Sequence, residues 1–204
     1  FVTSQLQAVQ HVHQQSYLQG LYRMPLLEAL SFLPEEDLTN AQHTCQRLNI
    51  IGDELRQILY SNLSLEEKNE KLINCAKTNQ TKAVKLLLKA GADINAQDQL
   101  EATALLWAVS KNHINIVQLL LKHKANIDQP NHFGYTPLII ASINGNIAIV
   151  RILLNRRANI DLQTMYGRTA FRFATTRGHH EIAQMLLEET ERRQIALEDK
   201  QVQF

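Results

Sequence analysis

Histidine and cysteine have the widest chemical reach of the residues in this chain, and their spacing decides what they could do. His179-His180-Glu181 lacks the His-Glu-x-x-His spacing that brings two imidazoles to one helix face around a zinc ion. His179 also follows Gly178, a residue type that ends one helix before the next begins, so it reads as structural. His11 and His13 stand two apart, which points them to different sides of a helix and favours a polar surface over a metal pair. The two cysteines, Cys45 and Cys75, each lie in an apolar segment. Neither reads as a thiolate nucleophile, and both fit buried thiols of a reducing compartment better than a disulfide framework. The seven glycines fall mostly at regularly spaced turns and form no phosphate loop. The expectation is no catalytic residue, no metal and no cofactor, in a chain that works through its surface.

The totals agree. A chain of 204 residues, 45% hydrophobic and 20% charged, has the composition of a soluble globular protein of one or two domains. Its net charge of +1 argues against nucleic acid as a partner of the whole. The charge is unevenly spread: residues 131–180 hold six arginines against Asp161, whereas residues 1–64 and 181–204 are each net acidic. No apolar run approaches the roughly eighteen residues a membrane span needs, and Phe1-Val2-Thr3-Ser4-Gln5 has no basic leader region. A cytoplasmic setting is expected. Phe1 rather than Met opens the sequence and the last four residues hold no Cys, which suggests a piece of a longer protein and leaves a lipid anchor open on either missing terminus.

One phrase recurs along the second half. Val84-Lys85-Leu86-Leu87-Leu88, Val117-Gln118-Leu119-Leu120-Leu121, Val150-Arg151-Ile152-Leu153-Leu154 and Ala183-Gln184-Met185-Leu186-Leu187 are spaced by a constant 33 residues. In the fullest copy, Thr136 can cap a helix whose first position is Pro137, where the missing N–H is harmless. Ala141 lets that helix lie close to its neighbour. Gly145 allows a left-handed turn, and Val150, Leu153 and Leu154 form the apolar stripe of a second helix. Such a unit cannot bury its own apolar face, so neighbours must stack. With Thr136-Pro137-Leu138, Thr103-Ala104-Leu105, Thr169-Ala170-Phe171 and Gly91-Ala92-Asp93-Ile94-Asn95, residues 65–189 resemble ankyrin repeats. Glu101 and Lys124 stand where that family usually has Gly, so those two turns are expected to be less ideal.

A different pattern precedes the repeats. Met24-Pro25-Leu26-Leu27, Leu33-Pro34, Asp37-Leu38, Cys45-Gln46-Arg47-Leu48 and Asp53 resemble an F-box over about 35 residues. Leu48 replaces the usual Trp, and the spacing from Met24-Pro25 to Leu33-Pro34 is short, so Leu21-Tyr22 is an alternative start. So small a unit cannot hide its apolar supply alone, and a partner is expected. The likeness implies that Leu21, Met24, Pro25, Leu26, Leu30, Leu33, Pro34, Leu38, Cys45 and Leu48 dock on the linker subunit of a Skp–cullin–F-box ubiquitin ligase. The competing reading makes these helices a cap of the stack, and the protein a binding or inhibitory scaffold. Ser64, with Glu67 three residues on, reads as a capping box that starts the first repeat without a flexible linker.

The expected fold is all-α. Residues 1–20 form an arm or helix, 21–60 the F-box-like domain, 61–190 about four helix-turn-helix repeats (65–97, 98–130, 131–163, 164–190) and 191–204 a tail. An F-box ahead of a short ankyrin array is similar to effectors that intracellular bacteria deliver into eukaryotic cells, and the abundance of Asn, Gln, Ile and Lys suits an AT-rich genome. The family's exposed turn tips and first-helix positions fall here on Leu100, Ala102, Lys111 and His123, then on His132, Phe133, Tyr135, Asn144 and Arg156, then on Met165, Tyr166, Arg168 and Arg177. These residues are the expected substrate-binding face, rich in the aromatics and arginines that anchor protein interfaces. A basic face of that kind favours an acidic protein partner. Trp107 is assigned to the core.

Overall fold

The computed structural model describes residue 53 and residues 56–202. The arm over residues 1–20 and the docking positions from Leu21 to Leu48 lie outside the described residues. Residues 56–61 are helical and lead into α1 (Leu65–Lys77). The expected capping box is formed there: the Glu67 N–H donates to Ser64 Oγ at 3.2 Å, and the Ser64 N–H donates to Glu67 Oε2 at 2.8 Å. Those Ser64 donors hold the Glu67 carboxyl below its ordinary range.

Seven more helices follow as partners and stacks: α2 (Thr81–Lys89), α3 (Ala104–Ser110), α4 (Ile114–Lys122), α5 (Pro137–Ile143), α6 (Ile147–Asn155), α7 (Ala170–Thr176) and α8 (His180–Val202). Each odd-numbered helix packs on the even-numbered helix after it. The odd helices also stack on one another as a first-helix layer, and the even ones as a second. Thr103, Thr136 and Thr169 cap α3, α5 and α7 through their hydroxyls. Ala108, Ala141 and Ala174, one repeat apart, are all fully buried, so the helices approach closely, and Val150, Leu153 and Leu154 are buried as their spacing predicts.

Polar side chains stitch the repeats across their joints. His113 Nε2 lies 3.2 Å from the Lys77 carbonyl, and His179 Nε2 lies 3.1 Å from that of Ile143. Asn69, Asn95 and Asp128 each accept a backbone N–H, from Asp93, Asn126 and Asn159 respectively, at 2.8–2.9 Å. His179 is therefore a structural residue, as its place after Gly178 implies.

The less ideal turns are real. Glu101 and Lys124 adopt left-handed backbone, φ 57° and 66°, as does Arg157 at 61°. A side chain there costs about 1–2 kcal/mol, and the greater unfolded-state freedom of glycine offsets about 0.5–1 kcal/mol of any relief. Lys124→Gly is therefore expected to stabilise the fold by about 0.5–1 kcal/mol, read as a higher denaturant midpoint at unchanged slope. A lower midpoint would contradict the strain.

Residues 191–202 differ from the expected tail, because they continue α8. The second helices of the preceding repeats end before left-handed Gly91, Lys124 and Arg157. The matching position is Thr190, whose branched Cβ disfavours that conformation, and its hydroxyl donates back to the Leu186 carbonyl at 2.9 Å. Buried Glu189 then accepts from Arg192 Nη1 and Arg193 Nε, both at 2.8 Å, while Arg193 Nη2 donates to the Ala158 carbonyl at 3.0 Å. These bonds tie the extra turns of α8 to the repeat before it.

Candidate functional site

Three hairpin tips stand side by side between the helical pairs. Each starts at a residue whose side-chain oxygen gathers backbone N–H groups. Asp98 Oδ1 accepts from Leu100 and Ala102, Asn131 Oδ1 from Phe133 and Tyr135, all at 3.0 Å, and Thr164 Oγ1 from Arg168 at 3.4 Å. The turns close where the N–H groups of Glu101, Gly134 and Gly167 donate to the carbonyls of Asp98, Asn131 and Thr164. Neighbouring tips are then joined: the His132 N–H donates to the Leu100 carbonyl and the Met165 N–H to that of Phe133, both at 3.1 Å.

With the backbone so occupied, the side chains point outward. Leu100, Phe133 and Tyr166 fall one repeat apart and are 49%, 41% and 69% exposed, with Met165 beside them at 61%. A ladder of exposed apolar side chains on rigid backbone adds nothing to folding, and patches of this kind mark interaction sites. The His132 ring meets Phe133 edge-on, with centroids 5.4 Å apart, and its Nδ1 lies 3.5 Å from Glu101 Oε1.

The first-helix layer supplies charge beside the ladder. Lys111, Asn144 and Arg177, again one repeat apart, cap the C-terminal ends of α3, α5 and α7 and are exposed. Arg168 sits over the Phe173 ring at 5.9 Å. Arg168, Arg172 and Arg177 are exposed and form no ion pair among the described residues. The fourth repeat thus offers apolar tips flanked by uncompensated positive charge.

Several expected site residues take other places. Tyr135 is half-buried against Phe173, at a centroid distance of 5.9 Å, and packs on the core. Ala102 is buried, because its N–H must reach Asp98. His123 and Arg156 cap the C-terminal ends of α4 and α6, which puts them with the second-helix layer, apart from the tips.

Trp107 is only half-buried, since its indole N–H needs a partner: it donates to Asp98 Oδ2 at 2.8 Å. Lys77 Nζ reaches the same oxygen at 3.3 Å and lies 4.2 Å from the Trp107 ring centroid. Sequence reasoning did not find this cluster; its signal is the acid at position 98 where the next two repeats carry Asn131 and Thr164. Burial would raise the Asp98 pKa, but hydrogen bonds from Trp107, Ala102, Leu100 and Lys77 outweigh it and hold the carboxyl below its ordinary value.

Burial pushes the Cys75 thiol up, away from thiolate chemistry. Among the described residues no group of His, Cys, Asp and Glu could hold a metal ion, and no helix is long and apolar enough to cross a membrane.

A family model for ankyrin repeats in three copies matches residues 72–164 and 126–199, more than half of the chain. The chain belongs to the ankyrin-repeat family. No curated protein matches it. Membership makes the described stack a protein–protein interaction scaffold with protein partners. Its ankyrin tips leave Leu100, Phe133 and Tyr166 exposed, and its ankyrin core takes Tyr135 and much of Trp107.

Proposed function

We propose that this ankyrin protein is a non-catalytic adaptor: residues 21–55 dock on the linker subunit of a Skp–cullin–F-box ubiquitin ligase, and the tips hold a protein substrate. The observation that carries the reading is the F-box-like series Leu33-Pro34, Asp37-Leu38 and Cys45-Gln46-Arg47-Leu48 placed directly before a binding stack. In the sequence the joint is short, with Ser64 and Glu67 starting the first repeat without a flexible linker. An adaptor needs such a joint, because its contribution is to raise the effective concentration of a target lysine beside the ligase's reactive thioester. The substrate would present apolar side chains to Leu100, Phe133 and Tyr166 and carboxylates to Arg168, Arg172 and Arg177. The setting is the cytosol of a eukaryotic cell, as the likeness to delivered bacterial effectors implies.

One observation favours the simpler reading of an ankyrin scaffold whose preceding helices only cap the stack. Tyr60 packs on the core of the first repeat, and burial raises its pKa. Binding of the purified linker subunit separates the two. The adaptor reading expects the wild type to co-purify with it and Leu33→Ala/Pro34→Ala to lose it, with helical circular dichroism unchanged. Absence of binding by the wild type, or equal recovery of both, would leave only the scaffold.

A further inference from the structure

The second helices end in a row of cations that the tips do not use. Lys89 and Lys122 are the last residues of α2 and α4, and Arg156 caps α6. Lys124 and Arg157 follow in left-handed backbone. Because α2, α4 and α6 stack on one another, these ends stand side by side, and the chain just beyond them is bonded across the joints, from the Asn126 N–H to Asn95 and from the Asn159 N–H to Asp128. All five cations are exposed and form no ion pair among the described residues. Of the carboxylates that follow the row, Asp93 and Asp128 accept the backbone N–H groups of Asn95 and Asn159 at 2.9 Å, and Asp161 is the third. Five cations against three acids leave this edge positive.

We infer that this edge rests on a membrane surface rich in anionic lipid headgroups, a role that goes beyond the adaptor reading and does not depend on it. Backbone strain supports a use for the row. Gly91, one repeat before Lys124 and two before Arg157, has the same left-handed backbone and open space around it. Two repeats thus hold a cation where glycine would relax the turn, and strain kept at a surface position points to function. The class of partner follows from what the row lacks. No exposed large hydrophobic residue lies within 85–91, 118–124 or 151–157, so the row has neither the buried anchor that a protein interface centres on nor an aromatic platform for single-stranded bases. It is built from helix ends, so none of its helices can lie along a duplex groove. Those ends also present carbonyls, which repel an anion at the backbone and confine contact to the ends of the long side chains. A flat headgroup layer asks for no more than that: each Lys or Arg brought near it raises binding about fivefold. Contact of this kind is peripheral and needs no spanning helix.

Co-sedimentation of the full chain with lipid vesicles tests the contact. The wild type is expected to bind phosphatidylcholine vesicles that contain about one-third phosphatidylserine, to leave vesicles of phosphatidylcholine alone, and to be released at about 1 M salt, where screening shortens to about 3 Å. Lys124→Gly/Arg157→Gly removes two cations and relaxes both turns, so it should unfold at a higher denaturant midpoint yet bind the mixed vesicles about 25-fold more weakly. That opposition separates lost contact from lost folding. Lys71→Gln/Lys82→Gln lowers the charge equally, on α1 and at the opposite end of α2, and should bind as the wild type does. A wild type that ignores the mixed vesicles, a glycine variant of unchanged affinity, or an equal loss in the glutamine variant would overturn the inference, as would retention of duplex DNA in preference to the vesicles.

Discussion

Gly134→Ala is expected to lower the unfolding free energy by about 3 kcal/mol, the sum of about 1–2 for a left-handed side-chain-bearing residue and about 1–3 for overpacking. Gly134 has φ +79°, and a Cβ there would lie 2.9 Å from both the Met165 nitrogen and the Thr164 Cα. Both obstacles are backbone of the next tip, so no rotamer change relieves them. The shift must instead break the Met165 N–H bond to the Phe133 carbonyl and splay the tips. Gly91 is the control: its φ is +86°, but a Cβ there meets nothing within 4 Å, so Gly91→Ala should show only the backbone part, about 1 kcal/mol. Equal losses at the two positions, measured by chemical denaturation, would mean that the tips are not in the tight register described.

Asp98→Ala is expected to cost a similar amount, about 3 kcal/mol. It leaves the Trp107 indole N–H, the Lys77 ammonium and the backbone N–H groups of Leu100 and Ala102 without their common acceptor. Asp98→Asn separates the parts. Its amide oxygen can keep the two backbone bonds, as Asn131 does in the next repeat, but its NH2 faces two donors. The wild-type carboxyl also imposes a pH dependence. Its pKa in the folded chain lies below the ordinary 3.8, so the unfolded state binds the proton more tightly. The stabilisation is present in full above that ordinary value and is lost as pH falls through the lower, folded value. Denaturation midpoints of the wild type should therefore fall on acidification through this range more steeply than those of Asp98→Asn. Parallel curves would show that Asp98 titrates alike in both states.

These two sites mark what the sequence could and could not reveal. The step of 33 residues, the threonine caps and the small Ala141 were legible because each is a local rule repeated several times. Gly134 was legible as a turn residue; the need for it against the next tip was not, because that contact depends on stacking distance. Trp107 looked like core by position alone, and the acceptor that draws its indole N–H partly outward is nine residues away. Tyr135 was read as a free aromatic for the same reason: its partner Phe173 belongs to the following repeat. Thr190 carried a usable signal, since a branched residue at a left-handed position predicts that the helix will run on.

The central claim is that the tips and the residues from 21 to 55 are separate binding surfaces on one chain. Its most direct test is affinity capture from eukaryotic lysate with quantitative mass spectrometry on three proteins: wild type, Phe133→Ala/Tyr166→Ala and Leu33→Ala/Pro34→Ala. Tyr166 is preferred to Tyr135 because it packs on nothing that folding needs. The account predicts that the tip variant keeps the ligase linker subunit and loses a defined set of other proteins, and that the Leu33/Pro34 variant does the reverse. Loss of both sets together in either folded variant, or of neither, would contradict it.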